Sequence, residues 1–197
     1  MCAHCLRAQP ACICRWVAAL APTVELLILQ HPLEVDNAKN SARLLQLSVA
    51  SSVMVTGEAF APGALAALLD AGGRTPVLLY PDTAGEPATV PAPGVLAVPG
   101  NLRLVILDAT WRKSRKMLHL NPALQRLPRY TLRAMPPSHY RIRKAHAPDQ
   151  LSTLEAAAYA VMQLENSIDV QPLLAAFDGF VGQRLDFIPP GLSHRHA

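Results

Sequence analysis

Short apolar runs alternate with segments of helical period along most of the chain. Glu25–Leu29 (ELLIL) has the unbroken apolar character of a buried strand and ends at Gln30-His31-Pro32. Asn40 or Ser41 then caps a short helix through about Ser48. Val53–Thr56 is a second strand, closed by Gly57. Pro62–Ala71 is an Ala/Leu helix with Pro near its first turn and Gly72-Gly73 past its end, the asymmetry expected of helix termini. Val77–Tyr80 (VLLY) predicts a third strand, followed by a Pro/Gly/Ala loop to Gly100. Leu102–Leu107 (LRLVIL) is the clearest strand, with Asp108 at its C-terminal end.

A helix is expected from Trp111 to about Leu120, and Tyr130–Leu132 is a candidate short strand. Residues 133–150 read as an irregular loop. Ser152–Glu155 (STLE) forms a capping box, because Ser accepts from the N3 amide while Glu reaches back to the N-cap amide. Leu154, Ala157, Ala158 and Val161 make a core-facing stripe behind it. Gln171–Val181 predicts a last helix, and the tail after Pro189 is polar, as in a frayed end. Buried strands alternating with helices imply an α/β fold: a mostly parallel sheet with helices on both faces. In such folds ligands sit outside the strand C-termini. That rule points to Gln30–Glu34, Thr56–Gly57, Tyr80–Asp82 and Asp108–Trp111.

With 197 residues, 51% of them hydrophobic and 16% charged, the chain can bury a real core and is not a disordered polymer. No segment reaches the roughly 20 apolar residues of a membrane span, and the N-terminus lacks the basic flank of a secretory signal. These features read as a cytoplasmic protein without a membrane partner; monomer and homodimer both stay open. The net charge of +4 conceals a segregation. Arg103–His146 holds eleven Lys or Arg and the single acid Asp108, while the remainder holds seven basic and thirteen acidic residues. A basic face of this kind suits a nucleic acid partner, with a solvated surface as the plain alternative.

Three clusters carry candidate chemistry. Cys2, Cys5, Cys12 and Cys14 have the form C-x2-C-x6-C-x-C, which suggests one structural Zn²⁺ held by four thiolates. Two disulfides or four free thiols are the alternatives, and a cytoplasmic setting disfavours the first. Residues 1–15 thus read as a zinc-binding strip set apart from 16–197, which the family resemblance given below implies to be the catalytic domain. In the second cluster, Asp108 stands at a strand end before the helix that Thr110-Trp111 opens. It is either an active-site carboxylate or, as Asp108 or Thr110, simply the helix cap, and the residues alone leave both open. Arg112, Arg115, Lys116 and His119 share one face of that helix, with no acidic partner along it, and suit phosphate contact. Arg112 and Arg115 are expected to lower the pKa of Asp108. The third cluster, Ser138–Lys144, interleaves Tyr140 with Arg141, Arg143 and Lys144, a pattern that can grip a strand and stack a base.

Together these clusters resemble the DTW-domain family, named for its Asp-x-Thr-Trp motif. The resemblance runs in order through the Cys cluster, Gln30-His31-Pro32-x-Glu34 with Asn40-Ser41, and Leu79-Tyr80-Pro81. It continues through Asp108-x-Thr110-Trp111, Leu127-Pro128, Ser138-x-Tyr140-Arg141-Ile142-Arg143-Lys144 and Ser152-Thr153-Leu154-Glu155-Ala156. It departs from the family at His4, where Arg is usual, and at Ala109, where Gly is common. If the turn at Ala109 needed positive φ, Ala would be strained there, so a negative φ is expected.

The resemblance implies a tRNA-uridine aminocarboxypropyltransferase, similar to bacterial enzymes that make 3-(3-amino-3-carboxypropyl)uridine in the tRNA variable loop. It implies S-adenosylmethionine as co-substrate and a fold related to the SPOUT enzymes, with a knotted C-terminal region that nothing in the periodicity reveals. Asp108 would accept the uridine N3 proton or orient the uracil edge. The cofactor would lie against Tyr80-Pro81, Thr110-Trp111, Thr131-Leu132 and Ser152-Thr153. Arg112, Arg115, Lys116, Tyr140, Arg141, Arg143 and Lys144 would hold the RNA. Glu155 reads as the capping-box partner rather than as a catalytic acid. A SPOUT-type RNA methyltransferase using the same cofactor, and a zinc-stabilised RNA-binding module without catalysis, are the alternatives.

Overall fold

The computed structural model describes residues 1–82, 89–138 and 151–187. Five parallel strands form one sheet in the order β2-β1-β4-β3-β5: β1 is Glu25–Gln30, β2 Ser52–Thr56, β3 Thr75–Leu79, β4 Leu102–Asp108 and β5 Arg129–Tyr130. The unbroken apolar runs follow from burial on both faces. Leu26, Ile28, Leu104 and Ile106 face one layer; Leu27, Leu29 and Val105 face the other.

Helix α1 (Ala42–Ser48) packs on the first face, and α2 (Pro62–Asp70) on the second. A short α3 (Pro93–Leu96) lies within the segment before β4. Helices α4 (Trp111–Leu120) and α5 (Pro122–Gln125) add Met117, Leu118 and Leu124 to the second layer, while α6 (Thr153–Leu164) and α7 (Gln171–Leu185) complete the first. No described helix is long and apolar enough to cross a membrane.

The connections set the site. From β1 the chain leaves by α1 to the outer strand β2; from β4 it leaves by α4 on the opposite face towards β5. Neighbouring strands whose connections depart in opposite directions open a crevice at their C-terminal ends, the ligand position of open α/β sheets. The register pairs Gln30 with Asp108 at that place.

Several boundaries differ from the sequence expectation. β3 begins at Thr75 and ends at Leu79, so Tyr80 falls just past the strand. β5 is Arg129–Tyr130 rather than 130–132: the pairing with β3 ends at Leu79–Tyr130, where β3 itself ends, and Thr131 beyond it donates its hydroxyl to the Tyr80 carbonyl (3.2 Å). α7 runs on to Leu185, and α5 was not foreseen, although Pro122 fits the first turn of a helix. Asn40 rather than the Ser41 side chain caps α1: its Oδ1 accepts the Ala42 amide at 2.9 Å. Ala109 is not among the positive-φ residues, so the turn accepts a Cβ without strain. The described residues show no knot, and the polar tail falls within 188–197, outside the described residues.

The N-terminal strip is no loose appendage. Cys5 and Ile13 are buried in the first layer, and Trp16 donates its indole N–H to Gln183 of α7 at 2.5 Å. Gly179 lets this indole lie directly on α7, since a Cβ there would fall 2.2 Å from the ring.

Candidate active site and metal centre

Asp108 is 2% exposed, and three side chains donate to it. Oδ2 accepts from Gln30 Nε2 (2.9 Å) and Asn40 Nδ2 (2.6 Å), and Oδ1 accepts from the Thr153 hydroxyl (2.7 Å). These donors come from the end of β1, the loop before α1 and the first turn of α6. Ser41 fastens the same junction by accepting the Leu154 amide at 3.3 Å. The carboxylate therefore sits where β1, β4, α1 and α6 meet.

Of the two candidate caps, Thr110 rather than Asp108 takes the position. Thr110 is the N-cap of α4, its hydroxyl accepting the Lys113 amide at 3.4 Å and its carbonyl the Ser114 amide at 2.7 Å. The expected influence of Arg112 and Arg115 is overturned. Burial raises the Asp108 pKa; the Thr153, Gln30 and Asn40 hydrogen bonds oppose the rise, and the charge of Glu34 adds to it. Arg112 and Arg115 are exposed, in water that screens them, so desolvation decides the sign.

Of the four loops expected to hold the cofactor, Ser152-Thr153 touches this carboxylate, and contacts of Tyr80 tie Tyr80-Pro81 to the Thr131 and Trp111 loops. Thr131 bonds the Tyr80 carbonyl, and Tyr80 donates its amide to the Tyr130 carbonyl at 3.2 Å. The Tyr80 ring meets Trp111 edge-on at 5.9 Å, and its hydroxyl lies 3.4 Å from Ser114 Oγ. Tyr80 is buried, Thr110, Thr131, Leu132 and Thr153 are half-buried, and Pro81 and Trp111 are exposed. The Ser152 capping box is complete: Ser152 Oγ accepts the Glu155 amide (3.1 Å), and Glu155 accepts the Ser152 amide (2.8 Å). Glu155 also accepts the Ser138 hydroxyl, at 2.8 Å to Oε2. Both flanks of segment 139–150 are thus tied to one carboxylate.

Arg112, Arg115, Lys116 and His119 are all exposed on α4, the shared face that the sequence predicts. Lys116, however, pairs with Glu58 (2.9 Å), whose other oxygen lies 2.9 Å from His31 Nε2. This acidic partner comes from the segment after β2, not from the helix. Lys113 reaches the buried Glu34 at 2.9 Å. Tyr140, Arg141, Arg143 and Lys144 lie outside the described residues.

Sequence reasoning did not assign site roles to Gln30, Asn40, Glu34 or Lys113. The strand-end rule pointed at Gln30 and Glu34, but only the β1–β4 register puts Gln30 beside Asp108.

The four cysteine sulfurs lie within 4.8 Å of one another. Cys2 and Cys14 are 3.6 Å apart and Cys5 and Cys12 3.7 Å, so no disulfide joins them. A disulfide has sulfurs about 2.05 Å apart; a tetrahedron of thiolates about 2.3 Å from a zinc ion has edges of about 3.8 Å. The backbone amides of Cys5 and His4, with the Cys14 and Cys12 thiols, lower the Cys2 thiol to about 6. The set fits a four-coordinate soft metal ion with no open position.

The family described as DTW domain matches residues 1–185. The chain belongs to the DTW-domain family. A Drosophila melanogaster protein named tRNA-uridine aminocarboxypropyltransferase 2 is 32% identical over 184 residues, 88% of this DTW chain and 70% of the relative. Proteins of the same name from Mus musculus and Macaca fascicularis are 31% and 27% identical, again over 88% of this chain. The match spans 59% of each of those two, less than two thirds of their length. No solved structure is significantly similar to this DTW chain.

Proposed function

We propose that this DTW-domain chain is a tRNA-uridine aminocarboxypropyltransferase, moving the 3-amino-3-carboxypropyl group of S-adenosylmethionine to N3 of a uridine, in the variable loop of tRNA. The observation that carries the reading is the Asp108 cluster of the family motif, seated at the β1/β4 switch point, in a chain so similar to relatives named for this activity. S-adenosylmethionine supplies an activated carbon: the N3 lone pair forms a bond to Cγ while the Cγ–S electron pair returns to sulfur, releasing neutral 5′-methylthioadenosine.

The protein then has to orient the donor and remove one proton. Asp108 is too deeply buried to meet a uracil edge directly. Thr153 bridges the gap, since it is half-buried and its hydroxyl already donates to Asp108 Oδ1. The N3 proton passes to Thr153 Oγ1 as the Thr153 proton passes to Asp108. The raised pKa of Asp108 makes it a stronger acceptor than an ordinary carboxylate.

Tyr80, Pro81, Thr110, Trp111, Thr131, Leu132 and Ser152 form the wall against which the donor lies. Arg112 and Arg115, exposed and clear of the Glu58 pair, are the leading described phosphate contacts; Lys116 contributes after release from Glu58. Tyr140, Arg141, Arg143 and Lys144 lie outside the described residues, and their RNA role rests on the basic and aromatic sequence pattern. Cys2, Cys5, Cys12 and Cys14 hold a structural zinc ion. Mass spectrometry of tRNA nucleosides from a strain lacking the gene tests this function: aminocarboxypropyluridine disappears if the reading is right and persists unchanged if it is wrong.

A further inference from the structure

Arg7 lies between the two halves of the cysteine cluster, and its backbone and its guanidinium bond different parts of the fold. Its carbonyl accepts the Cys2 amide at 2.7 Å, and its own amide bonds the Cys5 thiol. Its guanidinium leaves the strip altogether. Nη1 donates to the Ala38 carbonyl and Nη2 to the Asn40 carbonyl, both at 2.8 Å, while the group stacks 5.4 Å from the centre of the Phe180 ring.

Asn40 is one of the three donors to Asp108. The side chain of Asn40 is buried, and both its ends are used: Nδ2 donates to Asp108, and Oδ1 accepts the first amide of α1. Two strong bonds from a planar guanidinium onto the carbonyls of 38 and 40 fix the height and tilt of this loop. A displacement of Asn40 by under 1 Å would stretch the 2.6 Å bond beyond useful length.

We propose that Arg7 is a positioning residue that couples closure of the four-cysteine centre to the active-site carboxylate through Asn40. The metal orders the turn that aims Arg7, Arg7 holds the 38–40 loop, and the loop presents Asn40 to Asp108. The structural metal is in this sense a part of the active-site scaffold although it lies outside the sheet crevice. The proposal rests on the metal reading above, but its main readout does not require the transferase reaction.

The strip has a second tie of similar kind that serves as a control. Arg43 of α1 donates to the His4 carbonyl and to Gln46 Oε1, both at 2.6 Å, and among the described residues makes no hydrogen bond to the 38–40 loop. The test uses the full-length chain as wild type, Arg7→Met, Arg7→Lys and Arg43→Met, each loaded with zinc and each stripped by a chelator. Hydrogen–deuterium exchange of the peptide covering 37–42, zinc content and kcat are measured on all eight samples.

Loaded Arg7→Met should keep its zinc, exchange about tenfold faster over 37–42, and lose about tenfold in kcat with the KM for tRNA little changed. Stripping the wild type should give the same exchange, and stripping Arg7→Met should add nothing, as expected of two perturbations on one path. Arg7→Lys, able to reach one carbonyl, should recover part of the protection. Loaded Arg43→Met should lose stability but retain wild-type exchange over 37–42. The proposal is overturned if Arg7→Met leaves 37–42 protected, if the two perturbations add, or if Arg43→Met loosens the segment equally. A wild-type chain that binds no zinc overturns the coupling together with the metal reading. An enzyme that forms no modified uridine leaves the exchange result to stand by itself.

Discussion

The hydroxyl of Thr153 lies 2.7 Å from Oδ1 of Asp108 and donates to it, linking a half-buried group at the start of α6 to a buried carboxylate at the end of β4. This link turns an inaccessible acid into one that can receive a proton from the crevice. Thr153→Val keeps the shape and removes the link. It should lower kcat by about a hundredfold or more, the worth of general acid–base assistance. Thr153→Ser should restore most of the rate. Equal rates in Val and Ser variants, read in single-turnover assays, would remove Thr153 from the proton path.

Asp108→Asn is expected to fold normally and lose turnover. An amide at 108 can present its oxygen to Gln30 and Asn40 and its NH₂ to Thr153, whose hydroxyl reverses and accepts, so every partner stays satisfied. The thermal midpoint at neutral pH should not fall below the wild-type value while kcat falls to background. A well-folded Asn variant with near-normal kcat would exclude Asp108 as acceptor.

The raised pKa gives a pH signature with two parts. As acceptor, Asp108 must be ionised, so the rate should fall as pH drops through a value above the usual carboxylate range. In stability the sign is opposite. The native state holds its proton more tightly than the unfolded chain, so the Asp108 contribution is greatest below the unfolded pKa. It then declines as pH rises through the native value. The difference in unfolding free energy between wild type and Asp108→Asn, followed from acid to neutral pH, should move against the wild type. An acid limb at or below the ordinary carboxylate position would mean that basic neighbours, not burial, govern Asp108.

Much of this organisation was legible in the sequence, because strands buried on both faces leave unbroken apolar runs and caps leave short polar signatures. LRLVIL, the STLE box and the Pro62/Gly72 helix are of that kind. Asp108 could be located but not interpreted. Its environment is made by Gln30 and Asn40, 78 and 68 residues away, and by Thr153, 45 away, which only the strand order brings together. The error about its pKa has the same origin. Arg112 and Arg115 are close in sequence, but helix α4 turns them to solvent, and nearness along a chain says nothing about burial.

Arg112→Ala and Arg115→Ala should each weaken tRNA binding and reduce the slope of log affinity against log salt by about 0.7–0.9, the yield of one phosphate contact. Lys116→Ala should do less at low salt, because RNA must first draw Lys116 from Glu58. Filter binding across a salt series would separate them. Equal slopes for all three variants and wild type would place the RNA on another surface.

One zinc ion per chain is expected by elemental analysis, with the four thiols shielded from alkylation until a chelator is added. Loss of the metal should release the strip and lower the thermal midpoint, since Cys5 and Ile13 leave the core with it. Four thiols that titrate freely in a metal-free, equally stable protein would contradict a structural metal.

The central claim is the transfer of the aminocarboxypropyl group, and the sulfur-containing product reports it most directly. Purified protein incubated with unmodified tRNA and S-adenosylmethionine should release 5′-methylthioadenosine in equal amount to aminocarboxypropyluridine formed, with no S-adenosylhomocysteine. Release of S-adenosylhomocysteine with a methylated nucleoside would contradict the account and identify a methyltransferase.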